Sequence, residues 1–230
     1  MTDTGRAWRE CLGFTMFALV LKAALDLVIW RYAGPVSLVV VLICVTVYLQ
    51  RRSQGRSRLG LVRLSGAKSY WLLPVQTVIA FVAILATGAA VTLLGEASGL
   101  AFMQADRAGA AARFGDLAGN TGLYLFWLAI LWVAGPAEEL FFRGFMINTL
   151  RKALGRGALA AALSVLLPAL IFGAGHIYYQ GLRGLFTTGL IGVTLGCLFL
   201  AYKRNVWPLM IAHAAVNSLV FTLQYLEIEA

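Results

Sequence analysis

Charge is scarce in this sequence. Only 13% of its 230 residues are Asp, Glu, Lys or Arg, and acids are the rarer sign, 10 against 19 basic residues. A soluble domain carries about a quarter charged residues. The 60% of hydrophobic residues fall in long blocks, so the chain reads as a multi-pass membrane protein and not as a soluble fold. Cysteine is scarce too. Cys11, Cys44 and Cys197 sit in or beside apolar blocks and form no CxxC pair, which makes them small buried hydrophobes rather than a disulfide or metal framework. The net charge of +9 does not point to nucleic acid, because no basic stripe lies on a soluble element. The basic residues gather instead in short loops between apolar blocks.

The apolar blocks run at roughly 11–30, 35–50, 70–95, 120–150, 158–178, 184–202 and 206–225. The first is too long for a signal h-region and has no convincing cleavage site, so it is expected to be a retained span. The basic loop 51–68, with Arg51, Arg52, Arg56, Arg58, Arg63 and Lys68, is expected in the cytoplasm. So are Arg151, Lys152 and Arg156, and Lys203 and Arg204. Segment 96–118 is nearly balanced in charge, holds a short amphipathic helix or loop, and faces out. These assignments agree if 120–150 crosses once, as a long tilted span kinked at Gly135–Pro136. The expected fold is all-α, a polytopic transmembrane bundle with its N-terminus inside. Seven spans follow from this reading, and eight shorter ones remain open. Residues 1–230 form one integral membrane domain.

Against that background "AGPAEELFFRGF", Ala134–Phe145, is anomalous, because charged side chains inside a bilayer cost several kcal/mol each. In the C-terminal half the ionisable residues within blocks are few: Glu138, Glu139, Arg143, His176 and His213, with Asn217 the most notable uncharged polar neighbour. The two histidines are the only ones in the chain. Glu139 and Arg143 stand at i, i+4 and can pair on one helix face. Glu138 points about 100° away and has no partner of opposite sign on its own helix. His213 and Asn217 share an i, i+4 face, as do Phe172 and His176. Counted from the basic ends at ~1.5 Å per residue, Glu138, His176 and His213 lie roughly 20, 28 and 14 Å deep, so a shared site is feasible. Lys22 and Asp26 in the first block form another i, i+4 pair, which we read as structural.

A glutamate in a low-dielectric site is a usable general base near neutral pH. It can activate water with help from a histidine, while a His–Asn pair donates to an oxyanion. Two histidines and a carboxylate are equally a metal-ligand set. A third possibility is a non-catalytic membrane protein, such as an immunity factor, scaffold or small transporter, using the same cluster for binding. Other intramembrane hydrolases lack their residues: there is no HExxH motif, no aspartate dyad, since Asp26 is the only aspartate clearly within a block, and no serine in a nucleophile setting.

The series "EELFFR" (Glu138, Glu139, Arg143), "FGAGH" (Phe172 to His176) and "HAAVN" (His213 to Asn217) resembles the EExxxR, FxxxH, HxxxN series of the CAAX prenyl protease and bacteriocin-processing family. This family, also called Abi, comprises glutamate intramembrane proteases. The resemblance covers about 80 residues. It implies a helical membrane bundle, usually of eight spans, with the catalytic helices in 120–225. It implies Glu138 as the catalytic glutamate, His176 as its partner in activating water, and His213 and Asn217 as the oxyanion hole. Glu139 and Arg143 would orient the site, with Phe172 as the supporting aromatic. It further implies no cofactor and no metal, although a metal mechanism was once proposed for the family. The expected partners are a peptide or membrane-protein substrate and the lipid bilayer, and the Ala/Leu/Gly/Arg-rich composition suggests a bacterial inner membrane.

Overall fold

The computed structural model describes residues 2–104 and 107–228. Ala105 and Asp106, within the segment 96–118 discussed above, lie outside the described residues, as do Met1, Glu229 and Ala230. Among the described residues regular structure is entirely helical: α1 (Asp3–Arg51), α2 (Gly66–Ser98), α3 (Arg107–Phe114), α4 (Thr121–Glu138), a π-helical segment (Glu139–Ile147), α5 (Asn148–Leu154), α6 (Ala158–Ala174), α7 (Ile177–Ala201) and α8 (Trp207–Tyr225), with short 3-10 turns at Arg56–Leu59 and Ala101–Met103. In hydrocarbon every backbone N–H and C=O needs an internal partner, which helices provide. Asn120 caps α4 through its side chain, accepting from the Leu123 N–H at 3.1 Å.

Four helices are long and apolar enough to cross a membrane: α1, α2, the continuous run Thr121–Leu154, and α7. This is fewer than the seven to eight passes read from the blocks, for three reasons. The helix α8 is 19 residues long but carries His213, Asn217 and other polar residues and is not apolar enough along its length. The helix α6 is apolar but only 17 residues long. The helix α1 merges two blocks into 49 residues, interrupted at Ile29, where φ −134° and ψ 43° leave the helical region. The chain doubles back there. The Phe14 and Tyr48 rings lie 5.4 Å apart, and the Tyr48 hydroxyl donates to Glu10 Oε1 at 2.9 Å, although the 38 residues from Glu10 to Tyr48 would span ~57 Å as straight helix. Cys11, Val41, Val45 and Leu49, from both halves, share one core cluster.

The two ends of the bundle differ. Asp3, Arg58, Arg151, Arg156 and Arg204 meet at one end around a common bowl. At the other, Tyr225 bonds Gly119 and Thr121, and the Trp30 ring lies against Tyr178. Between them runs the π-helical segment, buried except at the half-buried Leu140, as an element packed by neighbours around nearly its full circumference must be. Phe141, Phe145 and Met146 pack against the folded α1, and Ile147 against Leu195, Phe199 and Leu209. Apolar side chains such as Val28, Trp71 and Leu159 face outward, as lipid contact allows.

The continuous Thr121–Leu154 run matches the single long span expected over 120–150. Its irregularity, however, lies further on than Gly135–Pro136. The helix α4 carries Pro136 within it, the Glu139 N–H reaches both Gly135 O and Pro136 O, and the widened turns follow at Glu139–Ile147. Such π-turns inside helices are frequent at functional sites.

Gly144 in this segment packs directly against the Leu59 backbone, and a Cβ there would overlap the Leu59 carbonyl. Backbone cannot move aside as a flexible side chain can. Gly144→Ala is expected to destabilise the protein by roughly 1–3 kcal/mol. Gly88→Ala in α2, where a Cβ meets nothing within 4 Å, should be neutral or slightly stabilising. Thermal unfolding of the two variants in one detergent checks this, and equal behaviour would contradict the packing described.

Candidate active site

The site grows from the end of α4. Glu139 is fully buried and Arg143 is 2% exposed in its side chain. The Arg143 guanidinium donates from Nη1 to Glu139 Oε1 at 2.9 Å and from Nη2 to the Gly192 carbonyl on α7 at 3.3 Å. The Phe172 ring covers its face at 4.8 Å. The pair anticipated from the i, i+4 spacing is therefore present, and α7 extends it. Gly192 can lie this close because it packs against the backbone of Ala169 on α6, an approach that small residues permit between membrane helices.

His213 on α8 bridges the two glutamates. Its Nδ1 is 2.9 Å from Glu139 Oε1, and its Nε2 is 3.6 Å from Glu138 Oε2. A carboxylate can only accept, so the hydrogen bond assigns a proton to Nδ1 and fixes the ring plane. Nε2 then faces Glu138 with a lone pair, or with a second proton when the ring is charged. Adjacent glutamates, about 100° apart on a helix, are thus read by opposite edges of one imidazole. Glu138 is the more accessible of the two, with a side chain 20% exposed.

His176 is placed differently from its neighbours. The helix α6 ends at Ala174, so His176 stands on the turn into α7 and not within a helix. Its Nδ1 still reaches back to the Phe172 carbonyl at 2.8 Å. That carbonyl accepts, which leaves Nε2 as the acceptor of a neutral ring. The Phe172 ring stands between the histidines, 4.8 Å from His176 and 6.2 Å from His213.

Glu138 and His176 line a common cavity of about 90 Å³, with Phe141, Phe142, Phe172 and Tyr179 among its walls. It has room for a few water molecules at ~30 Å³ each. His213 lies beside the cavity, behind Glu138. Asn217 stands one turn further along α8 against Gly135. A Cβ on that glycine would lie 3.7 Å from Asn217 Nδ2 and 3.5 Å from the Ala214 nitrogen. The helices α4 and α8 pack together at Gly135 in ordinary van der Waals contact, which brings His213 within reach of both glutamates. The structure therefore assembles Glu138, Glu139, Arg143 and His213 by direct contact, adds His176 through the cavity and Phe172, and sets Asn217 next to the α4 backbone.

Two cations that the sequence did not mark as site residues, Lys22 and Arg113, border the cavity. Lys22 lines it while paired with Asp26 at 2.7 Å, so the structural ion pair expected there also borders the site. Lys22 Nζ sits 4.2 Å from the centre of the Tyr178 ring. Arg113 comes from α3, in the balanced segment. It is buried, and its guanidinium lies 4.3 Å from the Tyr179 ring and 4.9 Å from that of Tyr178. Burial, with the cost of desolvating the charge, holds the Arg113 guanidinium below the usual arginine range, partly offset by Tyr179 and Glu138. No spacing rule points to Arg113. The adjacent tyrosines at 178 and 179, two residues beyond His176, were the only available hint.

Among the described residues no group of three or more His, Cys, Asp or Glu side chains is arranged to hold a metal ion. His213, the histidine nearest both glutamates, directs Nδ1 to Glu139 rather than into an open ligand position. Residues 120–219 match the family model described as type II CAAX prenyl endopeptidase Rce1-like. No curated protein matches, and no solved structure does.

Proposed function

We propose that the chain, whose residues 120–219 match the type II CAAX prenyl endopeptidase model, is an intramembrane endopeptidase that cleaves with a water activated by Glu138. The observation that carries this reading is the shared cavity: Glu138 and His176 face one space, and the buried Glu139–Arg143–His213 network fixes the groups behind it.

In this mechanism a water lies between the Glu138 carboxylate, His176 Nε2 and the substrate carbonyl. Glu138 takes one proton as the water oxygen adds to the carbonyl carbon. His176, held by the Phe172 carbonyl, accepts a hydrogen bond from the water's other proton. Negative charge develops on the carbonyl oxygen, and His213 and Asn217, which stand on α8 beside the cavity and not in its wall, would donate to it through a protonated Nε2 and through Nδ2 once the substrate seats against them. Glu139 on Nδ1 serves the ring as an acidic orienter serves other catalytic histidines, by fixing its tautomer and direction. Collapse breaks the C–N bond, and Glu138 returns its proton to the leaving amine. The reading is of a glutamate peptidase with no covalent acyl-enzyme.

We read the bundle as seven passes, with the two halves of α1 counted separately. The basic residues of the N-terminal region and of the turns at 58, 151–156 and 204 gather at one end, which supports placing that end in the cytoplasm of a bacterial inner membrane. The cavity is lined by Gly34, Arg113, Gly175 and Tyr178, residues toward the opposite end, so the substrate is a membrane protein or peptide cut in the extracytoplasmic half.

The test compares peptide cleavage by membranes carrying the wild type, His176→Ala or His213→Ala at equal protein levels, with and without a chelator. Each substitution is expected to slow cleavage on the order of 10²-fold or more, and chelation to leave the wild type unchanged. Loss of activity to the chelator with recovery on adding zinc would replace this mechanism with a metal one.

A further inference from the structure

A second cavity, larger than the one beside Glu138, lies away from Glu138 and Glu139. It is a bowl of about 550 Å³ at the basic end of the bundle, within the size range of ligand pockets. Six cations line it, Arg6, Arg58, Arg151, Lys152, Arg156 and Arg204, against two acids, Asp3 and Glu10. The acids are already engaged. Glu10 accepts from Tyr48 on one oxygen and from Arg58 Nη2 at 3.3 Å on the other, and Asp3 lies 3.9 Å from Arg6. Arg151 is held by carbonyls, donating to Gly157 and Arg156. Among the described residues Lys152, Arg156 and Arg204 have no acidic partner within salt-bridge distance.

Two further observations indicate that the bowl is built for an anion. Arg58 is tied by Nη2, yet its Nη1 is buried with no hydrogen-bond partner, as is Arg6 Nε. Buried donors are satisfied in the great majority of cases, and an orphan calls for an acceptor. Arg204, moreover, follows Lys203 in the left-handed region, at φ +65° and +55°. Non-glycine residues pay a steric cost there, and such strain concentrates at ligand sites. The turn is pinned where it is by the Val206 N–H bonding Gly60 O at 2.9 Å, two residues from Arg58.

We propose that this bowl binds a phosphate-bearing anion, with the headgroup of an anionic phospholipid as the occupant its position favours. Several guanidinium groups around one space match the planar, multi-oxygen geometry of phosphate. The bowl lies where the helices leave the apolar belt. Leu159, one turn beyond Arg156, and Leu12 and Met16, just beyond Glu10, are exposed and offer acyl chains an apolar path. The site is independent of the peptidase reading.

The experiment uses the purified full-length protein in neutral detergent. It is titrated with short-chain phosphatidylglycerol, with short-chain phosphatidylcholine and with inorganic phosphate, and binding is followed by native mass spectrometry and unfolding temperature. Phosphatidylglycerol should bind more tightly than phosphatidylcholine by on the order of tenfold. Lys152→Gln/Arg156→Gln/Arg204→Gln should abolish that preference. Arg51→Gln/Arg63→Gln/Lys68→Gln, which removes equal charge outside the bowl, should keep it. Arg204→Gln alone serves if the triple variant fails to fold. Stabilisation by inorganic phosphate equal to that by the lipid, lost in the same variants, supports the phosphate site and assigns its occupant to solution. A lipid preference that survives in the bowl variants, or no response to any of the three probes, overturns the proposal.

Discussion

Glu138→Gln is expected to leave a folded, membrane-inserted protein whose peptide cleavage has fallen on the order of 10²- to 10⁴-fold, the usual worth of a general base. Two features make the effect chemical and not structural. Glu138 keeps a 20% exposed side chain, and its nearest charged group, His213 Nε2, lies at 3.6 Å, beyond a hydrogen bond. Exchanging the carboxylate for an amide of the same shape therefore breaks no strong contact. It does remove a carboxylate that borders the cavity, has no partner of opposite sign on its own helix, and can take a proton from water. The unfolding temperature of Glu138→Gln should match the wild type. Cleavage within about threefold of the wild type, far short of the range for a lost base, would remove Glu138 from the mechanism.

Glu139→Ala is expected to do the reverse, with the largest loss of stability of any single substitution here, about 3–5 kcal/mol. Glu139 Oε1 accepts from both Arg143 Nη1 and His213 Nδ1 at 2.9 Å. Truncation leaves a guanidinium that is 2% exposed and an imidazole without their shared acceptor. The cost is that of stranding buried charge, and not simply the worth of the pair. Pairing the change with a matched apolar partner should therefore recover part of it: Glu139→Met/Arg143→Met is expected to unfold at a higher temperature than Glu139→Ala, because a buried ion pair replaced whole by apolar side chains is often near neutral. The double variant should still cleave poorly, since His213 loses the carboxylate that fixes its ring. Equal unfolding temperatures for Glu139→Ala and the wild type would contradict the buried network.

The contrast between neighbouring glutamates shows how far the sequence could be read. Glu139–Arg143 was legible because its geometry is local: four residues on one helix place the groups together whatever the rest of the chain does. The partner of Glu138 was not. His213 lies 74 residues from Glu139 and reaches the glutamates only because α8 packs along α4. His176 was expected on a helix face, and the Gly175 before it in fact ends α6, so that its side chain is held by a turn.

The fold divides in the same way. The apolar blocks at 11–30 and 35–50 marked two passes of the chain, but the natural boundary between them, Gly34–Pro35, lies inside helix. The reversal occurs at Ile29, a β-branched residue with no turn signature, and is stabilised by contacts such as Glu10–Tyr48 that no local pattern reveals. The π-turns at Glu139–Ile147 are equally silent in sequence. Arg113 was concealed by its setting in a small, charge-balanced segment, where nothing indicates that three aromatic rings will fold over it.

The central claim is that Glu138 hydrolyses peptide bonds in membrane substrates. It is tested most directly by comparing peptide termini in membranes from cells that produce the wild type and cells that produce Glu138→Ala at the same level. A set of new termini present with the wild type and absent with Glu138→Ala, alongside accumulation of the uncut parent proteins, is the predicted result. Identical termini in the two samples, with Glu138→Ala restoring the function of cells that lack the protein, would contradict it and leave the cluster as a binding site.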